Sequence, residues 1–216
     1  MTLVTKPFGD IITFSRASGG GRFNSSGVYE WVGNDVPRFD HDPVTGEPLG
    51  ILIEEQRTNL LTYSSYFANA AWGKGAAGTG SLPVVNPNDT IAPDGTMTAD
   101  AVTFNVSVSG DQSTLIQNTT TVIPTVYTGT VWLKAKTPTD VGKIVLLRHV
   151  GASSFTQITL TADWARVVRV ETAANTIGSY TLALRPASGS STGQVSCHIW
   201  GAQLEAGSFP TSYIPT

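Results

Sequence analysis

Apolar and polar residues alternate along much of the chain with a period of two. Over residues 126–136, Tyr127, Val131, Leu133 and Ala135 fall on one face, and Trp132, Lys134 and Lys136 on the other. Residues 179–185 place Tyr180, Leu182 and Leu184 together. Residues 195–200 set Val195, Cys197 and Ile199 opposite Ser196, His198 and Trp200. Successive side chains of a β-strand point to opposite faces of its sheet, so these stretches predict strands with one buried face. Residues 98–105, 114–120, 143–150, 155–160 and 165–171 extend the series. Turn formers stand between them: PDGT at 93–96, SGD at 109–111, TPTD at 137–140, LTADW at 160–164 and ASGSSTG at 187–193. Eight or nine short strands spaced in this way predict an all-β, antiparallel sandwich. The count suits a jelly roll, and no Cys…Trp…Cys spacing points to an immunoglobulin domain.

The pattern is different near the N-terminus. Residues 17–27 hold four Gly and three Ser, which predicts a loop or the end of a hairpin. Residues 37–50 read as strand, turn, strand, with the turn at 42–47. Residues 50–57 fit either a strand or one or two helical turns. We therefore expect an N-terminal irregular or β-hairpin arm over residues 1–57 and a jelly-roll module over 58–216. The arm has too little apolar material for a large core, which predicts packing against the module or another chain. Trp31, Phe39, Ile51, Leu52 and Ile53 are its candidate interface residues, Trp being enriched at interfaces.

Charge supports the division. Residues 1–64 carry five basic and eight acidic side chains, whereas residues 65–216 carry eight of each. The whole chain of 216 residues is at −3, with only 13% charged residues and five Trp, which speaks for a packed fold over disorder. A pI near 5.5 argues against a nucleic-acid partner. No apolar run reaches the roughly 20 residues of a membrane-spanning helix. The first residues, MTLVTKPFGDIITF, lack the layout of a signal peptide. The single Cys197 can form no intramolecular disulfide, and its place on the apolar side of a strand predicts a buried, inert thiol.

Little points to catalysis or to a metal. A glycosidase needs two carboxylates about 5–10 Å apart. Beyond residue 64, Asp89, Asp94, Asp111, Asp140 and Asp163 stand in turns, leaving Asp100, Glu171 and Glu205 on or beside strands. Asp40-His41-Asp42 flanks a turn and reads as solvated rather than as a metal site. His149 and His198 are isolated, and read as surface or partly buried strand residues. Gly19-Gly20-Gly21-Arg22 lacks the Gly-Lys-Ser/Thr ending of a phosphate loop. Trp72 and Trp164 follow turns and are expected to plug the ends of the sandwich. A sugar ring has an apolar face that matches an indole, with polar neighbours to read its hydroxyls. Trp132 with Lys134, and His198 with Trp200, are therefore the candidate glycan-binding residues.

Three segments carry a family resemblance: RFDHDPVTGEPLGILIEEQRTNLLTYS at 38–64, with Phe67 and Trp72 after it; APDGTMTADAVTF at 92–104; and IWGAQLEAGSFPTSYIPT at 199–216. Together they resemble a module of tailed-bacteriophage virion surface proteins, such as tail fibres and tail spikes. Its sandwich is similar to jelly-roll carbohydrate-binding modules. The resemblance implies a non-enzymatic virion protein with no cofactor, in a tail fibre or receptor-binding assembly. Its implied partners are other phage virion proteins, tail or capsid, and a host surface polysaccharide, with a homotrimer as the expected assembly. Its place is the virion, assembled in the bacterial host cytoplasm. The alternatives are a capsid-decorating or head-fibre protein and, third, a polysaccharide hydrolase or its accessory module acting through Glu171 or Glu205. Such modules often close on a strand whose acidic pair helps bind calcium; the matching IWGAQL at 199–204 has no carboxylate, so no calcium is expected.

Overall fold

The computed structural model describes Pro7, Gly9, residues 13–150 and residues 154–216. The chain forms two compact units, Met1–Glu55 and Gln56–Thr216.

The first unit is built on two antiparallel hairpins. β1 (Gly20–Phe23) pairs with β2 (Tyr29–Val32), and β3 (Phe39–His41) with β4 (Pro48–Ile51). Each turn is fixed by a side chain that takes up local amides, the usual reason Asn and Asp begin turns. Asn24 Oδ1 accepts from Ser26 and Val28, and Asp42 Oδ1 accepts from Val44 and Thr45 at 2.8 Å each. The strand–turn–strand reading of residues 37–50 is the second hairpin. Asp40 and His41 bond the backbone of Phe23, Asp40 Oδ1 accepting at 2.7 Å and His41 Nδ1 lying 3.2 Å from the carbonyl. The ambiguous 50–57 stretch ends β4 at Ile51 and continues to residue 57 without regular secondary structure, so it holds no helix.

The second unit is an antiparallel β-sandwich of ten strands in two five-stranded sheets. They are β5 (Gly73–Ala77), β6 (Ser81–Thr90), β7 (Ala99–Val106), β8 (Gln112–Thr120), β9 (Val126–Ala135), β10 (Ile144–Arg148), β11 (Thr156–Thr159), β12 (Ala165–Thr172), β13 (Ile177–Leu184) and β14 (Gly193–Ala206). One sheet has the order β11-β10-β13-β8-β5, the other β12-β9-β14-β7-β6. The period-two faces point as read: Tyr127, Val131 and Leu133, Tyr180, Leu182 and Leu184, and Val195, Cys197 and Ile199 all enter the core between the sheets. Phe67 and Trp72 pack there too, with ring centroids 4.7 Å apart. Cys197 is buried, and burial pushes its thiol up to about 12, which keeps it protonated and inert.

Two strands went unread in the sequence. β5 is Gly-Lys-Gly-Ala-Ala and lacks any alternation; β6 contains Pro83 and Pro87, which remove ladder donors. Both lie at sheet edges, where such residues are tolerated, and β6 has two register shifts against β7. His149 is not a surface residue. It is fully buried, its ring stacked on Tyr180 at 6.4 Å, and its Nε2 bonds the Arg169 carbonyl at 2.9 Å.

Candidate functional site

The outward faces of the two sheets differ in what covers them. On the sheet β12-β9-β14-β7-β6, Trp132 and Trp200 stand opposite each other across β9 and β14, as their alternation requires. Their rings meet edge to face at 5.3 Å, and Tyr213 packs on both, at 5.8 Å and 4.6 Å. Arg166 lies 4.5 Å over the Trp132 ring. Both indoles are closed off, 4% and 3% exposed. The expected open aromatic surface at Trp132 and Trp200 is therefore corrected: the face points outward, but the last residues of the chain lie over it.

That cover is held by polar side chains of β14. Gln203 Oε1 accepts the Ile214 amide at 2.7 Å, and Glu205 accepts the Thr211 amide and hydroxyl at 2.8 and 2.7 Å. Tyr213 OH meets Ser64 Oγ at 2.6 Å. Asn59 donates to the Ala202 and Ile214 carbonyls and accepts the Leu61 and Leu204 amides. At Gly201, φ is +62° and a Cβ would fall 2.9 Å from the Trp132 ring, so the register shift between Trp200 and Gln203 requires glycine there.

Beyond this cover the same face carries a groove of about 540 Å³. It is lined by Lys134, Lys136, Thr137, Val141, Ala162 and His198, among others. Lys134 and His198 oppose each other on β9 and β14, so two of the four predicted glycan residues line it while the two Trp lie beneath the tail. Its rim is set by a single 3-10 turn, Pro138–Asp140. Asp140 holds that turn by accepting from Thr137 (2.6 Å), Lys143 (2.9 Å) and the Ser196 amide (3.1 Å). Asp89 accepts from Lys136 at 2.9 Å and meets His198 Nε2 at 2.8 Å. Burial pushes the Asp89 carboxyl up, but the bonds and charges of Lys136 and His198 outweigh it, and it stays below its usual value. Burial, helped by the charges of Lys134 and Lys136, lowers His198 by more than the Asp89 contact raises it.

Sequence reasoning missed the aromatic ring at this place. Lys134 Nζ lies 4.9 Å over Trp164, and the Trp164 and His198 rings are 6.4 Å apart. Trp164 is half-buried here and donates to the Ile91 carbonyl at 3.2 Å. The signal was a register: Ala165 opposes Leu133 on the β12–β9 ladder, so Trp164 continues it opposite Lys134. The acids proposed for hydrolysis are engaged elsewhere, Glu171 with Arg169 at 2.6 Å and Glu205 with the tail. Among the described residues no cluster of His, Cys, Asp or Glu could hold a metal ion. In the first unit Trp31, Phe39, Ile51 and Ile53 are exposed, Ile53 at 82%, and Leu52 is half-buried.

The two-sheet antiparallel sandwich is a fold this chain shares with carbohydrate-binding modules of known structure. The chain is similar to a solved carbohydrate-binding module of the β-sandwich superfamily, described for its promiscuous specificity (TM-score 0.50, 7% identity, covering 82% of this chain and 77% of that one). It is also similar to a family 11 module from Clostridium thermocellum, solved with a β-1,3-1,4-mixed-linked tetrasaccharide (TM-score 0.46, 7% identity, 76% and 100% covered). A third likeness is to the enzymatically active domain of tailspike protein 4 of bacteriophage CBA120 (TM-score 0.49, 14% identity), where 68% of this chain matches 21% of that one. What is shared at these identities is the fold. No protein-family model and no curated protein matches the sequence.

Proposed function

We propose that the chain is a non-enzymatic glycan-recognition component of a bacteriophage virion, of the tail-fibre or receptor-binding kind. The groove beside Trp164 carries the reading. Its lining offers Lys134, Thr137 and His198 to bond the hydroxyls of a sugar, and the Trp164 indole, against Lys134 and His198 at its edge, offers a flat apolar surface. The fold shared with carbohydrate-binding modules favours the ligand class, and the terminal motifs favour the virion setting. The carboxylates are spent on structural hydrogen bonds, which favours binding without turnover. The exposed apolar residues of the hairpin unit suit docking to other virion chains, in a homotrimer or on a tail or head.

The test is an array of bacterial surface polysaccharides probed with the purified protein and with Trp164→Ala. Saturable binding that the variant weakens about tenfold or more is expected for loss of a ring under a sugar. Absence of binding by folded protein would favour head decoration, which needs the docking surface but no sugar.

A further inference from the structure

The outward face of the other sheet, β11-β10-β13-β8-β5, presents two arginines, Arg148 and Arg185, with no counter-ion among the described residues. Val145 and Leu147 of β10 enter the core, so Arg148 points outward. Leu182 and Leu184 of β13 enter the core, which sends Ala183 and, one step past the strand, Arg185 outward. Ile158 of β11 enters the core, which turns Gln157 and Phe155 outward. The β10–β11 register, Leu147 opposite Thr156, sets Arg148 opposite Phe155. The contacts agree: the Arg148 guanidinium lies 4.7 Å from the Phe155 centroid, and Arg185 lies 5.1 Å from the same ring. Leu146 and Ala183 between them are fully buried, so the cluster sits on a rigid floor.

Two guanidiniums gathered on one ring repel each other, and each ordinarily seeks a carboxylate. Here neither has an ion pair among the described residues, and Arg148 Nε is buried without a hydrogen-bond partner. Burial lowers the Arg148 pKa, and the charges acting on it, Arg185 and Arg169, lower it further. Of these three arginines only Arg169 is matched, by Glu171. The groove on the opposite face differs, because Asp89 already compensates Lys136 and His198.

We infer that Arg148, Arg185 and Phe155 form a second, separate site for an anionic sugar, the arginines taking its carboxylate or phosphate and Phe155 its ring. An oxyanion between the guanidiniums would relieve their repulsion and offer bidentate acceptors. Half-buried Phe155 offers a sugar C–H face the contact that a free inorganic anion cannot use. That the anion is carried on a sugar rests on the glycan reading above; the anion preference stands on the arginines.

The experiment is calorimetric titration of the purified protein with three probes: oligogalacturonate, the same oligomer methyl-esterified at its carboxyls, and a glycerol-phosphate polymer. Wild type is expected to bind the acid at least about tenfold more tightly than its ester, with affinity falling as salt rises. The variant Arg148→Gln/Arg185→Gln, checked by thermal melting, is expected to lose that preference. Stronger binding of the phosphate polymer that the same variant abolishes also supports the site and names phosphate as its anion. Equal binding of acid and ester, retention of the preference in the folded double variant, or no binding of either anion overturns the inference. If uncharged glycans then still bind and Trp164→Ala weakens them, the groove reading survives alone.

Discussion

His149 is a titratable group placed where water cannot reach it. Burial pushes it down to about 4, against the bond from its Nε2 to the Arg169 carbonyl. The folded chain therefore keeps His149 neutral, while the unfolded chain protonates it below about 6.5. Stability is complete above that value, falls as pH drops from about 6.5 toward 4, and levels off once the folded form is protonated too. A depression of that size corresponds to about 3 kcal/mol. Urea midpoints at pH 7 and pH 4.5 should show the loss in wild type, and His149→Gln, neutral throughout, should show a smaller change over the same interval. The environment of this residue was not legible in the sequence, because its burial depends on β9, β12 and β13 meeting around it. Trp132 and Trp200 teach the same thing in reverse. Their outward orientation was legible from alternation, but their cover comes from Tyr213, 81 and 13 residues farther along the chain.

At the scale of elements, alternation located eight of the ten sandwich strands, because a half-buried strand must separate apolar from polar side chains. It found neither β5 nor β6, whose glycines and prolines suit an edge but erase the pattern. It also stopped β14 at Trp200, where the register shift at Gly201 breaks the period before the strand resumes to Ala206. Trp164 escaped for a related reason: a turn residue acquires its neighbours from strand pairing, and pairing is not written locally. One element carries its own test. Gly129, inside β9, faces the His149 and Tyr180 rings, and a Cβ there would lie 2.5 Å from His149 Cδ2 and 3.1 Å from Tyr180 Cε2. Gly129→Ala is expected to cost about 1–3 kcal/mol, as overpacking of a dense core does. Chemical denaturation measures it, and an unchanged midpoint would mean that the ring stack yields.

In the second unit, the inner end of one segment that carries the resemblance meets the outer end of another. Residues 59–64 and 211–216 close on each other through Asn59, Ser64, Gln203, Glu205 and Tyr213. Thr216 completes the closure, its amide donating to Ser64 Oγ at 3.0 Å and its hydroxyl to the Leu61 carbonyl at 2.8 Å. The residues that line the groove, Lys134, Thr137 and His198, lie outside the segments that carry the resemblance, whose two ends in this unit build the clasp. Tyr213→Ala removes both the ring over Trp132 and Trp200 and the hydroxyl on Ser64, with an expected loss of about 3–5 kcal/mol. Tyr213→Phe removes only the hydrogen bond, for about 1 kcal/mol. Melting temperatures give the order, and a red-shifted tryptophan emission in Tyr213→Ala would report the uncovered indoles.

The clasp also decides where tension enters the sandwich. The backbone arrives at Asn59 and leaves at Thr216 through the same knot of bonds, so a pull between the hairpin unit and the C-terminus loads that knot before it loads either sheet. Traction across that knot would then peel residues 211–216 from Trp132 and Trp200 before it parts the ladders of β9 with β14 and β10 with β13.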